Sequence, residues 1–431
     1  MTSKNLSKLK IGFVGMSHLG LVSSTSLTSK GFISYCYDPN SELIKDLKDL
    51  IIGISEPGLT ELIKQNGDRQ VFTSEISDLN KCDLVYISAD VPTDESGEAD
   101  LDIITDLIQS LNGKLKLSIP IVILSQVIPG YTRKVSSNYK NTIYYQVETL
   151  IFGDAINRSL NPERFIVGSA DSKKSLDENF LNILSTFACP ILHMNYESAE
   201  LAKISINLFL ASSIAMTNTL AEICENSGAE WLSIMEALKM DARIGKNSYL
   251  RPGLGISGGN IERDLKSISN LAEKLGTEFS LVDAISKNSE YRKKWAFNIL
   301  NDSAIVKNTT GAIGFWGLAY KENTNSIKNS PAVATILSLS KEIKIFAHDP
   351  EVKASTIDRV LVQCEEPDEM LNLVEVLVIL TPWNDYRRFS HRDYMKKLQN
   401  KVIIDPYGLI DSGLCAEFGI KHYVLGRISN S

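Results

Sequence analysis

From Tyr196 to Asn226 the chain contains neither glycine nor proline, and apolar residues recur at helical spacing. That stretch reads as one helix of roughly 30 residues, about 45 Å long. Asn195 suits its N-cap, and Gly228 suits the position just past its C-terminus. A helix this long outruns the core of one ordinary domain, so the segments before and after it are expected to fold as separate bodies.

Short apolar runs alternate with helical stretches on both sides of it. Before it they are Ile11–Val14, Ile33–Tyr37, Leu84–Ser88, Ile121–Leu124 and Phe165–Val167. After further helical patterning at Trp231–Leu238, Asp264–Leu275 and from Leu281 onwards, runs return at Gly311–Trp316, Ile343–His348, Val374–Thr381, Lys401–Asp405 and Tyr423–Leu425. Short buried strands separated by helices imply doubly wound parallel sheets. The expected fold class is α/β, with two parallel-sheet domains joined by a long central helix and a helical segment. The expected domains are residues 1–194, 195–305 and 306–431. A length of 431 residues, 43% of them apolar, suits two or three full cores.

A formal net charge of −7 argues against a nucleic-acid binder, which needs a basic face. No run of 18 uncharged apolar residues occurs, so no membrane span is expected, and the lysines of the first ten residues precede no secretory apolar stretch. Six scattered cysteines with no CxxC pair read as reduced, mostly buried thiols of a cytoplasmic protein. No metal-ligand spacing stands out.

The strand Ile11–Val14 runs into Gly15-Met16-Ser17-His18-Leu19-Gly20 and then a helix. This is the Gly-rich turn of a Rossmann fold with Ser17 in place of the middle glycine. Gly15 permits the tight turn, Gly20 lets the helix lie close to the strand, and the helix N-terminus offers amides to a pyrophosphate. Asp38 ends the next strand and suits the adenosine ribose hydroxyls. Its charge repels a 2′-phosphate, so NAD is expected rather than NADP.

Further segments, in order along nearly the whole chain, resemble the UDP-glucose/GDP-mannose dehydrogenase family. They are Ser55-Glu56-Pro57-Gly58-Leu59; Val91-Pro92-Thr93; Ser125-Gln126-Val127-Ile128-Pro129-Gly130; and Glu148 with Gly153 and Ala155. Next come Ala199-Glu200-Leu201-Ala202-Lys203 with Asn207, Arg243-Ile244-Gly245, and Pro252-Gly253-Leu254-Gly255. The last are Gly317-Leu318-Ala319-Tyr320-Lys321 and Ser330-Pro331-Ala332. The resemblance implies an NAD domain, a helical dimerisation segment and a nucleotide-sugar domain. It places Pro92, Thr93 and Gln126 along the cofactor. It places Arg243, Tyr249, Gly253, Gly255 and Lys321 at a nucleoside-diphosphate sugar, with Lys321 at its phosphates.

The family oxidises a sugar alcohol to a carboxylate in two hydride transfers, and a cysteine captures the intermediate aldehyde. The resemblance puts Asn260 at that cysteine, in Gly258-Gly259-Asn260-Ile261-Glu262-Arg263-Asp264. An amide nitrogen has its lone pair delocalised and does not replace a thiolate. Phe152 stands at the second glutamate of the Glu148 segment, Gln126 at a threonine and Arg263 at a lysine. Lys203 and Asn207, four apart, face one side of the central helix. With Asp264 and Glu148 they match the family's catalytic residues: Lys203 for a developing alkoxide, Asp264 for a water or proton. The plainer alternatives are a solvated lysine and a helix-capping aspartate. His18 and Trp383 are given no ligand role. Three readings stay open: a one-step dehydrogenase giving a carbonyl, a four-electron enzyme oxidising the aldehyde hydrate, and a silent NAD or nucleotide-sugar binding protein.

Overall fold

The computed structural model describes residues 9–92, 99–257, 259–302, 305 and 311–429. It divides into two compact units, Met1–Ile206 and Asn207–Ser431.

The first unit is built on eight strands: β1 (Lys10–Val14), β2 (Ile33–Tyr37), β3 (Gln70–Thr73), β4 (Leu84–Ile87), β5 (Ile121–Ile123), β6 (Ile143–Gln146), β7 (Phe165–Ser169) and β8 (Ile191–Asn195). Their spatial order is β3-β2-β1-β4-β5-β6-β7-β8. The first six are parallel, β7 pairs antiparallel with β6, and β8 runs parallel to β7. Alternate residues feed opposite faces: Ile11 and Phe13 of β1 enter one core, while Val14 enters the other with Val85 and Ile87. Burial on both faces is why β4 and β5 read as unbroken apolar runs. The strand order reverses between β1 and β4, and the crevice at their carboxyl ends is where such sheets take ligands.

The second unit holds a six-stranded parallel sheet: β9 (Ala312–Trp316), β10 (Ile345–His348), β11 (Val362–Gln363), β12 (Val374–Ile379), β13 (Val402–Ile404) and β14 (Lys421–Tyr423). Its order, β11-β10-β9-β12-β13-β14, repeats the topology of the first six strands of the other sheet. The α/β fold with two parallel sheets is therefore as expected. Strands β3, β6, β8 and β11 were not anticipated, and the last strand lies slightly earlier than its expected Tyr423–Leu425.

The long helix spans Tyr196–Ser227 and runs from one unit into the other. Asn195 caps it, its Oδ1 accepting Ser198 N–H at 3.0 Å, and Gly228 leaves it at φ +81°. By length and composition this helix is apolar enough to cross a membrane, which the sequence reading had not expected, and 28% of its apolar window is buried. Its polar residues are engaged by the second unit: Thr217 Oγ1 donates to the Tyr249 carbonyl and Asn218 Oδ1 accepts from Gly253 N–H. The helix expected from Asp264 begins four residues earlier, at Asn260. Asp264 therefore sits within the helix rather than capping it.

Candidate active site

In the first unit, Gly15 leaves β1 at φ +94°, and a Cβ there would lie 2.7 Å from that of Ala89. A Cβ on Gly20 would sit 1.9 Å from the Gly15 carbonyl oxygen, so only glycine lets the helix His18–Ser29 pack this close to β1. Ser17 precedes that helix in extended conformation without capping it. Its Oγ instead accepts Asp90 N–H at 2.7 Å. Asp38 is half-buried; its Oδ2 accepts Met16 N–H at 2.8 Å and its Oδ1 accepts Asn40 N–H at 2.9 Å. Turn, helix N-terminus and acid thus come together at the reversal point, and the tight glycine contacts fit a dinucleotide cradle. Pro92 is exposed, Gln126 half-buried, and Thr93 lies outside the described residues.

The loop after β6 carries Glu148. Its Oε1 accepts the Leu150 amide, and its Oε2 lies 3.8 Å from Lys203 Nζ. Lys203 is only 9% exposed, so it is not a solvated surface lysine. Further along this loop, Phe152 stacks on His18 with ring centroids 4.1 Å apart. Glu56, buried, faces His18 Nε2 at 2.9 Å and accepts Gly153 N–H at 3.0 Å and Ala155 N–H at 2.8 Å. Glu200, one turn before Lys203, accepts Gly130 N–H at 2.6 Å and Thr132 N–H at 2.8 Å, so it ties the Ser125–Gly130 loop to the long helix.

In the second unit, Asn207 Nδ2 donates to Asp264 Oδ2 at 2.5 Å, and Arg263 Nε lies 3.5 Å from Asp264 Oδ1. Asp264 is 1% exposed. Asn260 opens its helix in an exposed position behind Gly259, whose φ is +101°. Glu262 receives Lys293 Nζ at 2.5 Å and the Asn329 side-chain amide. The Gly253–Gly255 loop is pinned by Asn218 on the long helix and by Ser289 Oγ, which accepts Ile256 N–H at 2.8 Å. Tyr249 is half-exposed, and Arg243 points outward, held to Asp241 at 2.7 Å.

Beyond β9, Gly317 turns at φ +91° towards Lys321, whose Nζ lies over the Tyr320 ring. Asp349, at the end of β10, accepts Leu318 N–H at 2.6 Å, Ala319 N–H at 3.0 Å and Trp383 Nε1–H at 3.1 Å. Asp349 holds this turn as Asp38 holds the first one. Trp383 is buried as a structural donor. The sequence names Glu200 within the Ala199–Lys203 segment without a role, and it does not single out Asp90 or Asp349; for Asp349 the signal was present, an acid ending the second strand of a repeated topology. Among the described residues no group of three or more His, Cys, Asp or Glu is arranged to hold a metal.

Two parallel sheets of repeated topology, the first opening on a glycine turn whose tight contacts fit a dinucleotide, define a protein of the two-Rossmann class. The chain belongs to the UDP-glucose/GDP-mannose dehydrogenase family: its NAD binding domain matches residues 9–187, its central domain 197–290 and its UDP binding domain 314–412. A UDP-glucose 6-dehydrogenase of Bacillus subtilis, TuaD, is 30% identical over 97% of this chain and 93% of its own length. One from Rickettsia typhi is 27% identical over 97% and 99%. Among solved structures, a UDP-glucose dehydrogenase of Pyrobaculum islandicum shares the fold with a TM-score of 0.85 at 24% identity, covering 99% of this chain and 100% of that one. The chain is thus an NAD-dependent oxidoreductase of the nucleotide-sugar dehydrogenase class, acting on CH–OH.

Proposed function

We propose that this chain oxidises a nucleoside-diphosphate sugar in a single two-electron step, to a carbonyl. The observation that carries this reading is the combination of two retained pairs, Glu148–Lys203 and Asn207–Asp264, with an asparagine at position 260. Bound NAD, held by the turn Gly15, Ser17, Gly20 with Asp38 and by Pro92, Thr93 and Gln126, supplies the hydride acceptor. The remaining chemistry falls to the side chains. Lys203, screened from solvent and beside one carboxylate, stabilises the alkoxide as the hydroxyl proton leaves. Asp264, fixed by the Asn207 amide, takes that proton or orients the water that carries it. Asn260 offers no nucleophile to the carbonyl product, so no thioester forms and the second oxidation lacks its covalent intermediate.

In this reading residues 1–194 hold the cofactor, 195–305 form a dimerisation segment, and 306–431 hold the sugar nucleotide through Lys321. Tyr249, Gly253 and Gly255 line the sugar, and the outward Arg243 serves the partner copy of a homodimer. We assign the protein to the cytoplasm. UDP-glucose, named in the relatives, is the first substrate to test.

The experiment is the count of NADH released per sugar consumed, with hydroxylamine present to trap a carbonyl. About one NADH per sugar and a trapped carbonyl is expected, since a covalent nucleophile is commonly worth several powers of ten, roughly 10⁶ in a serine protease. Two NADH and a uronate would overturn the one-step reading in favour of hydrate oxidation. Binding of both ligands without turnover would make the chain a silent binding protein.

A further inference from the structure

The crevice between β1 and β4 contains a carboxylate that neither the turn motif nor the reaction calls for. Asp90 follows β4, its side chain is exposed, and its Oδ2 accepts the Leu19 amide at 3.2 Å. Its own N–H donates to Ser17 Oγ at 2.7 Å. Ala89, one residue earlier, packs against Gly15. The loop after β4 is therefore docked on the dinucleotide turn, and a negative group already sits on a first-turn amide of the helix His18–Ser29.

Those first-turn amides have no partner within the helix, and with the helix dipole they are what a pyrophosphate binds. An amide donates to one good acceptor at a time, so a pyrophosphate oxygen and Asp90 Oδ2 compete for Leu19 N–H. Their like charges also repel at short range. We propose that Asp90 is a cofactor-site residue that competes with the dinucleotide pyrophosphate for the helix N-terminus and so sets NAD affinity. The proposal rests on the assignment of the Gly15–Gly20 turn to NAD. It also gives Ser17 a second role. Where a glycine offers no side chain, the Ser17 hydroxyl anchors the Asp90 backbone and keeps its carboxylate over Leu19.

Loading NAD then requires Asp90 to swing away, which its exposed position permits. Asp90→Asn keeps the shape and one acceptor but removes the charge. Ser17→Gly keeps the charge but removes the anchor. Both act on one contact, so their effects on NAD affinity are not additive.

The test is calorimetric titration of NAD into the full chain, the two single variants and the double variant, at about 0.02 M and about 0.5 M NaCl, where screening lengths differ severalfold. At low salt Asp90→Asn tightens NAD about two- to fivefold, the worth of an anion at a helix N-terminus. Ser17→Gly shifts affinity the same way, the double variant gains less than the product of the two, and the Asp90→Asn advantage shrinks at high salt. Equal affinity of the unmodified chain and Asp90→Asn at low salt would overturn the proposal, as would an advantage that persists unchanged at high salt. If none of the proteins binds NAD, the cofactor assignment of the turn falls and this inference with it. If all bind equally, the assignment stands and only the role of Asp90 is lost.

Discussion

Replacing Glu200 by alanine removes the carboxylate that joins the Ser125–Gly130 loop to the helix of Lys203. Two amides lose their acceptor, Thr132 N–H, which is buried, and Gly130 N–H, which is half-buried and can recruit water. A buried donor left unsatisfied costs about 1–3 kcal/mol. The lost methylene adds about 0.8 kcal/mol. Release of a carboxylate from burial offsets part of this, so the net loss is about 2–3 kcal/mol. For a unit the size of Met1–Ile206, that lowers the melting temperature by about 4–12 °C. Glu200→Gln keeps the volume and one acceptor but turns an NH₂ towards the other amide, so its loss is smaller, about 1–2 kcal/mol. Burial holds the Glu200 carboxyl above the ordinary carboxylate range, with the amides of Thr132 and Gly130 pulling it partly back. An acid whose folded pKa is raised contributes stability that is fully present below its unfolded value and is lost as pH rises through the folded one. The wild type therefore gains on Glu200→Gln as pH falls from 7 towards about 4.5. Thermal melts of the three proteins across that range are the assay. An alanine variant melting within about 1 °C of the wild type, or a gap that narrows on acidification, would refute the clamp.

The thiols and the long helix supply two further tests. Burial pushes Cys36, Cys82 and Cys415 up to about 12 and Cys364 to about 11, so almost none of these four is thiolate at neutral pH, and burial raises Cys189 and Cys224 as well. Iodoacetamide at pH 7.5 is expected to leave the dehydrogenase rate unchanged, and a substrate-protectable loss of rate would show that a thiol takes part after all. On the long helix Phe209, Met216 and Ile223 are 78%, 62% and 54% exposed at seven-residue intervals, an apolar stripe of the kind that marks association. Light scattering at micromolar concentration should report twice 47.7 kDa; a species of 47.7 kDa alone refutes the dimer.

The departures from the family pattern fall into compensated and uncompensated ones. Phe152 stands where the resemblance puts a glutamate, yet its ring finds His18, and the neighbouring amides find Glu56. That loop stays fastened to the dinucleotide turn by other chemistry. Asn260, which the resemblance puts at the family's cysteine, is in the proposed one-step reading the departure without a substitute. It sits exposed at a helix start, and no rearrangement of an amide recreates a thiolate.

Local pattern was enough to read the fold class, the glycine turn after β1 and the central helix. Each depends on neighbours within a few residues: alternation of apolar runs, glycine where φ turns positive, absence of helix breakers between Asn195 and Gly228. The same locality explains the omissions. Strands β3 and β8 carry Gln70 and His193, which break their apolar runs, and β6 offers only Ile143, Tyr144 and Tyr145 before Gln146. The antiparallel pairing of β7 with β6 leaves no trace in periodicity, because alternation is the same in either direction. The tertiary structure alone decided which polar groups meet. Asp90 reaches Leu19 across 71 residues, Glu200 reaches Gly130 across 70, and Asn207 reaches Asp264 across 57. A carboxylate in a sequence has no visible partner; its charge is spent on whichever amide the packing of sheet and helix brings within hydrogen-bonding distance, and that choice belongs to the fold as a whole.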